Sequence, residues 1–291
     1  MNHLFDEVKV LDHGFIKVID VMGDDNAIAE AARVSYGDGT KKSRDNAGLI
    51  RYLMRHGHTS PFEMCEIKLC IKMPMFVARQ WIRHRTASVN EYSGRYSEIP
   101  DEFYVPSIHR IKGQSKDNKQ GTDFTHNISS AQMIQDLIEK DQTVCYANYK
   151  WFLQEGAARE LARVNLPVSA YTVMYWKIDL HNLLKFLKLR CDSHAQFEIQ
   201  EYANAILKKV EEWVPVAYSA FMDYVFGSVT LSKLDQDVLK YLFDCLHGGD
   251  CTIEHIRGDL QMFIGQCKKL DGVSKGEITE TVSKLIKLLG N

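Results

Sequence analysis

The chain has 291 residues, 45% of them apolar and 25% charged, and its 36 Lys plus Arg against 38 Asp plus Glu leave a formal charge of −2. This is the mix of an ordinary soluble globule with a sizeable core, of one large domain or two small ones. It excludes bulk attraction to nucleic acid, so any anion site must be a local basic cluster. No run approaches the ~18 apolar residues of a membrane span, and the opening Met1–Glu7 is not expected to be a secretory signal. Seven cysteines, an odd number without a Cys-x-x-Cys pair, speak against a disulfide framework and a thiolate zinc site. Reduced thiols in a cytoplasmic protein are the expectation.

In chain order, the β-branched run Phe15–Val21 reads as a strand, and Asp24-Asp25 caps a helix through Ile28 to about Arg33. Leu49, Ile50, Leu53 and Met54 have helical spacing within Arg44–His56, with Gly57 as the stop. Ser60-Pro61-Phe62-Glu63 reads as a capping box. Ile67, Leu69, Ile71 and Met73 then alternate with polar residues, as in a half-buried strand. A helix is expected over Phe76–Arg85. Ser107–Phe124 is polar and aperiodic, a surface loop and candidate lid. Further expectations are a long helix over Ser129–Gln154, a second central strand over Leu166–Ile178, helices over Leu180–Leu189 and Ala195–Val214, and three amphipathic helices after Gly227. The pattern is α+β: a small central sheet flanked by long helices, with a catalytic domain at 1–226 and a helical C-terminal extension at 227–291.

Chemistry first shows at Phe76–Arg85. On a helix, Val77, Ala78, Trp81 and Ile82 share one face, and Arg79, Gln80 and Arg83 the other. His84 and Arg85 follow, then Ser88, Asn90, Glu91, Ser93, Arg95 and Tyr96. Guanidinium groups bind phosphate bidentately and keep their charge when desolvated. Serines and an asparagine phased among arginines suit a nucleotide or dinucleotide better than they suit a solvated helix face. The alternative is a non-catalytic nucleotide or nucleic-acid binder, against which the near-zero net charge speaks. No His-Glu-x-x-His or comparable ligand spacing occurs, so no metal is expected. The segment His247–Cys251 with His255 reads as a glycine-capped helix connection. Tyr92, Tyr96, Phe103 and Tyr104 form an aromatic stretch, of which at most one is expected to touch a flat ligand.

The string Arg83-His84-Arg85-Thr86-Ala87-Ser88-Val89-Asn90-Glu91-Tyr92-Ser93-Gly94-Arg95-Tyr96-Ser97 resembles the signature of the flavin-dependent thymidylate synthases. His58–Glu63, Arg159–Pro167 and Leu187–Gln196 resemble further segments of that family, in the family's order. The resemblance implies reductive methylation of dUMP to dTMP, with 5,10-methylenetetrahydrofolate as carbon donor, FAD as hydride carrier and NADPH as reductant. It also implies an α+β homotetramer with sites shared between subunits. By carry-over, His58, Ser60, Arg83, His84, Arg85 and Glu91 reach the flavin. So do Asp179, His181 and Lys185, although other members carry Asn and Arg in the Asp179–His181 stretch and His or Asn at Lys185. Gln80, Arg83, Glu91, Ser93, Gly94, Arg95 and Arg163 hold dUMP, with Arg95 and Gln80 suited to its phosphate. Arg190 activates the uracil as the catalytic residue.

The physics of Arg190 agrees, since a permanent cation stabilises charge developing on the ring. None of the seven cysteines follows a proline, as the nucleophile of the flavin-free class would. Cys191, beside Arg190, reads as a structural thiol despite the neighbouring cation. No Gly-x-Gly-x-x-Gly turn is present to hold a dinucleotide.

Overall fold

Alternation of apolar and polar residues places β3 (Glu66–Pro74) at the centre of an antiparallel five-stranded sheet. A computed structural model describes residues 3–36, 45–115, 121–233, 235–237, 239 and 284. The strand order is β1 (Val8–Val10), β2 (Gly14–Met22), β3, β7 (Tyr171–Asp179), β4 (Ser88–Glu91). Ile67, Leu69, Ile71 and Met73 of β3 face Ile178, Trp176, Met174 and Thr172 of β7, all buried. Because side chains alternate across a strand, this one register commits a whole face of both strands to the core. The opposite face carries Lys68, Lys72 and Lys177, paired with Asp20, Glu102 and Glu66.

Helices cover the apolar face. Asp24 caps α1 (Asp25–Arg33) by accepting from the Ala27 amide at 3.0 Å, and Asp45 caps α2 (Asn46–Arg55) by accepting from the Gly48 amide at 2.7 Å. Gly57 adopts φ +67°, the left-handed conformation that ends α2 without a Cβ penalty. Next come α3 (Ser60–Glu63), α4 (Met75–Trp81), α5 (Ala131–Gln154), α6 (Arg159–Ala162), α7 (Leu180–Arg190), α8 (Phe197–Trp213) and α9 (Pro215–Phe221). The rings of Trp81, Trp176, Phe186 and Tyr202, from α4, β7, α7 and α8, pack at the junction, with Trp81 to Phe186 at 4.5 Å and Trp81 to Trp176 at 5.2 Å. A second cluster of Ile99, Phe103, Tyr149, Ala162 and Ala170 anchors α5. By contacts the chain divides into two compact units, Met1–Phe226 and Gly227–Asn291. The helices expected after Gly227 fall almost wholly outside the described residues.

Several expectations are corrected. The capping box does not form: Thr59 is the cap, its backbone is itself helical at φ −96°, ψ −44°, and no side-chain cap bond exists, so Ser60 is the first helical residue. The basic helix ends at Trp81 rather than Arg85, because the chain must turn to add β4 to the edge of β7. The expected loop 107–124 contains a 3₁₀ turn, Ile108–Arg110, and a hairpin of β5 (Lys112–Gln114) and β6 (Thr122–Asn127). Side-chain bonds from Arg110 to Glu198 and Thr122 hold it, not an apolar period. The second central strand starts at Tyr171, five residues later than expected, because Ala170 instead bridges to Phe103. β1, β4 and α9 carry too few periodic residues to read from sequence.

Candidate active site

The side chains singled out in the sequence fall into three groups. The first centres on Arg190, the last residue of α7. Buried Leu183, Leu184, Phe186 and Leu187 anchor that helix, whereas apolar Leu189 is 59% exposed. Arg190 Nε donates to His84 Nε2 at 3.1 Å and Nη2 donates to the Gln80 carbonyl at 3.4 Å. It does not pair with Asp192, whose carboxylate instead accepts from the His194 amide. His84 follows α4 and packs edge-on to Phe186 at 4.8 Å, which ties it to the aromatic core. Burial, and then the Arg190 charge, pushes the His84 pKa below its ordinary value. The ring is therefore neutral near pH 7 and offers Nε2 as an acceptor. Burial also lowers the pKa of Arg190, the mark of a cation partly stripped of water. It has no carboxylate partner among the described residues, so its remaining N–H groups are available to a ligand.

Gln80 completes this group, donating through Nε2 to Gln196 Oε1. Gln196 and Glu198, which meet this group from the start of α8, were not singled out in the sequence. Gln196 closes the segment resembling the family, but only the tertiary contact marks it.

The second group is Ser93, Gly94, Arg95 and Arg163. A Cβ on Gly94 would lie 2.9 Å from Ile99 Cδ1 and 3.2 Å from Arg163 Cδ, so Gly94 lets the Arg163 stem lie against the backbone. Arg95 pairs with Glu160 at 3.2 Å, both more than half exposed, and its amide donates to Ser93 Oγ at 3.3 Å. Such an exposed pair is worth about 1 kcal/mol or less and exchanges readily for a phosphate. Glu91, at the end of β4, accepts from Thr172 Oγ1 at 2.8 Å and is otherwise exposed.

The third group lies where α3 meets the start of α7. His58 stacks near Tyr52 at 6.1 Å, and Ser60 is exposed. Asp179 caps α7, accepting from the Asn182 amide at 2.9 Å and from its side chain at 2.7 Å, so both carboxylate oxygens are engaged. His181 stands one turn before exposed Lys185, and burial followed by that lysine lowers its pKa. Arg83 and Arg85 make no hydrogen bond or ion pair among the described residues. Burial pushes Cys191 up to about 12, so the neighbouring arginine does not make it a thiolate. Among the described residues no cluster of His, Cys, Asp and Glu could hold a metal, and no helix is long and apolar enough to cross a membrane.

Arg83, Arg85, Arg163 and Arg190, without acid partners among the described residues, together with a neutral histidine and the Ser93–Arg95 turn, define a class of α+β protein suited to anionic, planar ligands. Residues 17–216 match the family described as thymidylate synthase complementing protein, Thy1. A flavin-dependent thymidylate synthase from Gluconobacter oxydans is 53% identical over 276 residues, 94% of this chain and 90% of its own length. One from Wolbachia pipientis is 53% identical over 239 residues, 82% and 84% of the two chains. Among solved structures, the UMP/dUMP methylase PolB from Streptomyces cacaoi, bound with 5-Br dUMP, superposes with a TM-score of 0.66 at 33% identity, over 75% of this chain and 98% of its own. This chain belongs to the flavin-dependent thymidylate synthase family.

Proposed function

We propose that the chain converts dUMP to dTMP with 5,10-methylenetetrahydrofolate as carbon donor, FAD as bound cofactor and NADPH as reductant. The observation that carries this reading is Arg190. It is a half-buried guanidinium held by a neutral histidine and a backbone carbonyl, with no acid beside it among the described residues. Placed beside a uracil carbonyl, its free N–H groups stabilise the negative charge that develops when the ring carbon becomes nucleophilic. Because helix and core hold it, little reorganisation is needed at the moment of reaction.

Ser93, Gly94, Arg95 and Arg163 receive the nucleotide phosphate, Glu160 yielding Arg95 at small cost. The donor set fits a flavin dinucleotide as well: Arg83 and Arg85, unpaired among the described residues, for the pyrophosphate, with His58, Ser60, His84, Glu91, His181 and Lys185 around it. Asp179 supports that rim by capping the helix that carries His181 and Lys185. The flavin, when bound, supplies the hydride that completes the methyl group.

The sites are read as completed by a second subunit, because the short run Gln80–Arg95 cannot by itself surround both a nucleotide and a flavin. Self-association is supported by α5, where Met133, Leu137, Val144 and Trp151 repeat on one helical face and are all at least half exposed. We read the assembly as a homotetramer in the cytoplasm. Residues 1–226 would form the catalytic part and 227–291 an extension, a division supported by the family match at 17–216. The test is dTMP formation by purified, yellow protein supplied with dUMP, NADPH and methylenetetrahydrofolate. Tetrahydrofolate is the expected folate product, and stoichiometric dihydrofolate overturns the reading.

A further inference from the structure

Gln80 is the end of a partly buried polar relay. Glu198, on the first turn of α8, is 3% exposed. Its Oε1 accepts from Arg110 Nε at 3.0 Å and from the Tyr104 hydroxyl at 3.0 Å, and its Oε2 accepts from Gln196 Nε2 at 2.7 Å. Gln196 Oε1 then accepts from Gln80 Nε2. Arg110 is held in place by Thr122 Oγ1 at 2.9 Å and lies over the Phe197 ring at 5.1 Å.

The chemistry of this series dictates its direction. An ionised carboxylate only accepts, so the amide of Gln196 must turn its NH₂ toward Glu198. Its carbonyl therefore faces Gln80, and Gln80 must in turn present its own NH₂ inward. That leaves Gln80 Oε1 without a partner among the described residues, beside the backbone that holds Arg190. A single buried carboxylate, paired with Arg110, thus sets, two hydrogen bonds along the relay, which end of the Gln80 amide meets the ligand. A glutamine on its own flips freely between the two orientations.

We infer that Glu198 is a positioning residue that, through Gln196, holds Gln80 with its carbonyl oxygen toward the nucleotide, to accept from a neutral donor of the nucleoside. That donor is the ring imide N–H or a sugar hydroxyl, and not the phosphate, which an oriented carbonyl oxygen repels. This revises the sequence-based expectation that Gln80 holds the phosphate. It rests on the proposal that dUMP binds beside Arg190.

The informative variant is Gln196→Met, which keeps length and volume, severs the relay and leaves the Arg110–Glu198 pair and the Tyr104 bond intact. On the flavin-loaded protein, the dUMP dissociation constant by calorimetry and the KM should both rise about 3- to 10-fold, the effect of one lost hydrogen bond. The kcat should stay within about twofold, and the inhibition constant for inorganic phosphate should not move. In a Gln80→Ala background, Gln196→Met should add nothing, since coupled residues are not additive. Glu198→Gln, whose oxygen stays with Arg110 and Tyr104 and whose NH₂ then faces Gln196, should reverse both amides and reproduce the KM rise; Gln196→Met carries the test if that variant unfolds. An unchanged dUMP affinity, an equal loss of phosphate affinity, or a full additional loss on top of Gln80→Ala overturns the inference. Wild-type protein that binds dUMP but makes no dTMP would sink the functional proposal and leave the relay readable in binding alone.

Discussion

Replacing Arg190 by alanine separates a catalytic arginine from a helix-terminal one. The side chain makes one good hydrogen bond, 3.1 Å to His84, and a long one, 3.4 Å to the Gln80 carbonyl. Their loss costs about 1 kcal/mol, and relief of the burial that lowers the arginine's pKa offsets part of it. The melting temperature should therefore fall by no more than about 2–4 °C, given the size of the chain. Turnover should respond on another scale. Removing a donor aimed at developing charge costs about 10²–10³ in rate, or roughly 2.7–4 kcal/mol of transition-state stabilisation. Arg190→Lys should recover little, because a point charge cannot donate to His84 and Gln80 while also presenting a planar pair of N–H groups. The assay is dTMP formation at saturating dUMP, with flavin content checked by absorbance. A variant within threefold of wild type, still yellow and folded, refutes the assignment. A helix-capping role, worth about 0.3–1 kcal/mol, would lower stability and leave the rate intact.

Acid should weaken the same site. His84 and His181 both have pKa values depressed by burial, so the unfolded chain binds their protons first and stability falls as pH drops below the ordinary histidine value near 6.5. Protonated His84 cannot accept from Arg190, so activity should fall over the same window. His84→Gln, whose amide oxygen accepts at any pH, should flatten that acid limb; a limb of unchanged shape counts against the His84–Arg190 coupling. Gly94→Ala places a Cβ against Ile99 and Arg163, which should cost about 1–3 kcal/mol and raise the dUMP KM; unchanged values in denaturant titration and kinetics would show that the turn yields freely. Leu137→Glu combined with Trp151→Glu charges the exposed face of α5 and should shift light-scattering mass from that of the proposed tetramer toward smaller species with loss of turnover; an intact, active tetramer would place the interface elsewhere.

Local periodicity by itself determines the main elements. The alternation at Ile67–Met73 places β3, and the spacing at Leu49–Met54 places α2, because each pattern has one way to bury its apolar side. The phased run from Arg83 to Arg95 marks a candidate nucleotide site, since few constraints besides ligand binding put so many donors in one short segment. What lies beyond the sequence depends on partners distant along the chain. The Ser60 motif matches a capping box, yet its backbone closes on Thr59. The polar stretch from 107 to 124 reads as a loop, but Arg110 finds Glu198, 88 residues away, and forms a turn and hairpin. Arg190 has Cys191 and Asp192 as its neighbours in sequence, whereas its working partner, His84, is 106 residues distant. Sequence order names which groups can donate or accept. Only the folded chain decides which donor meets which acceptor, because burial and direction, not adjacency, set the energy of a hydrogen bond.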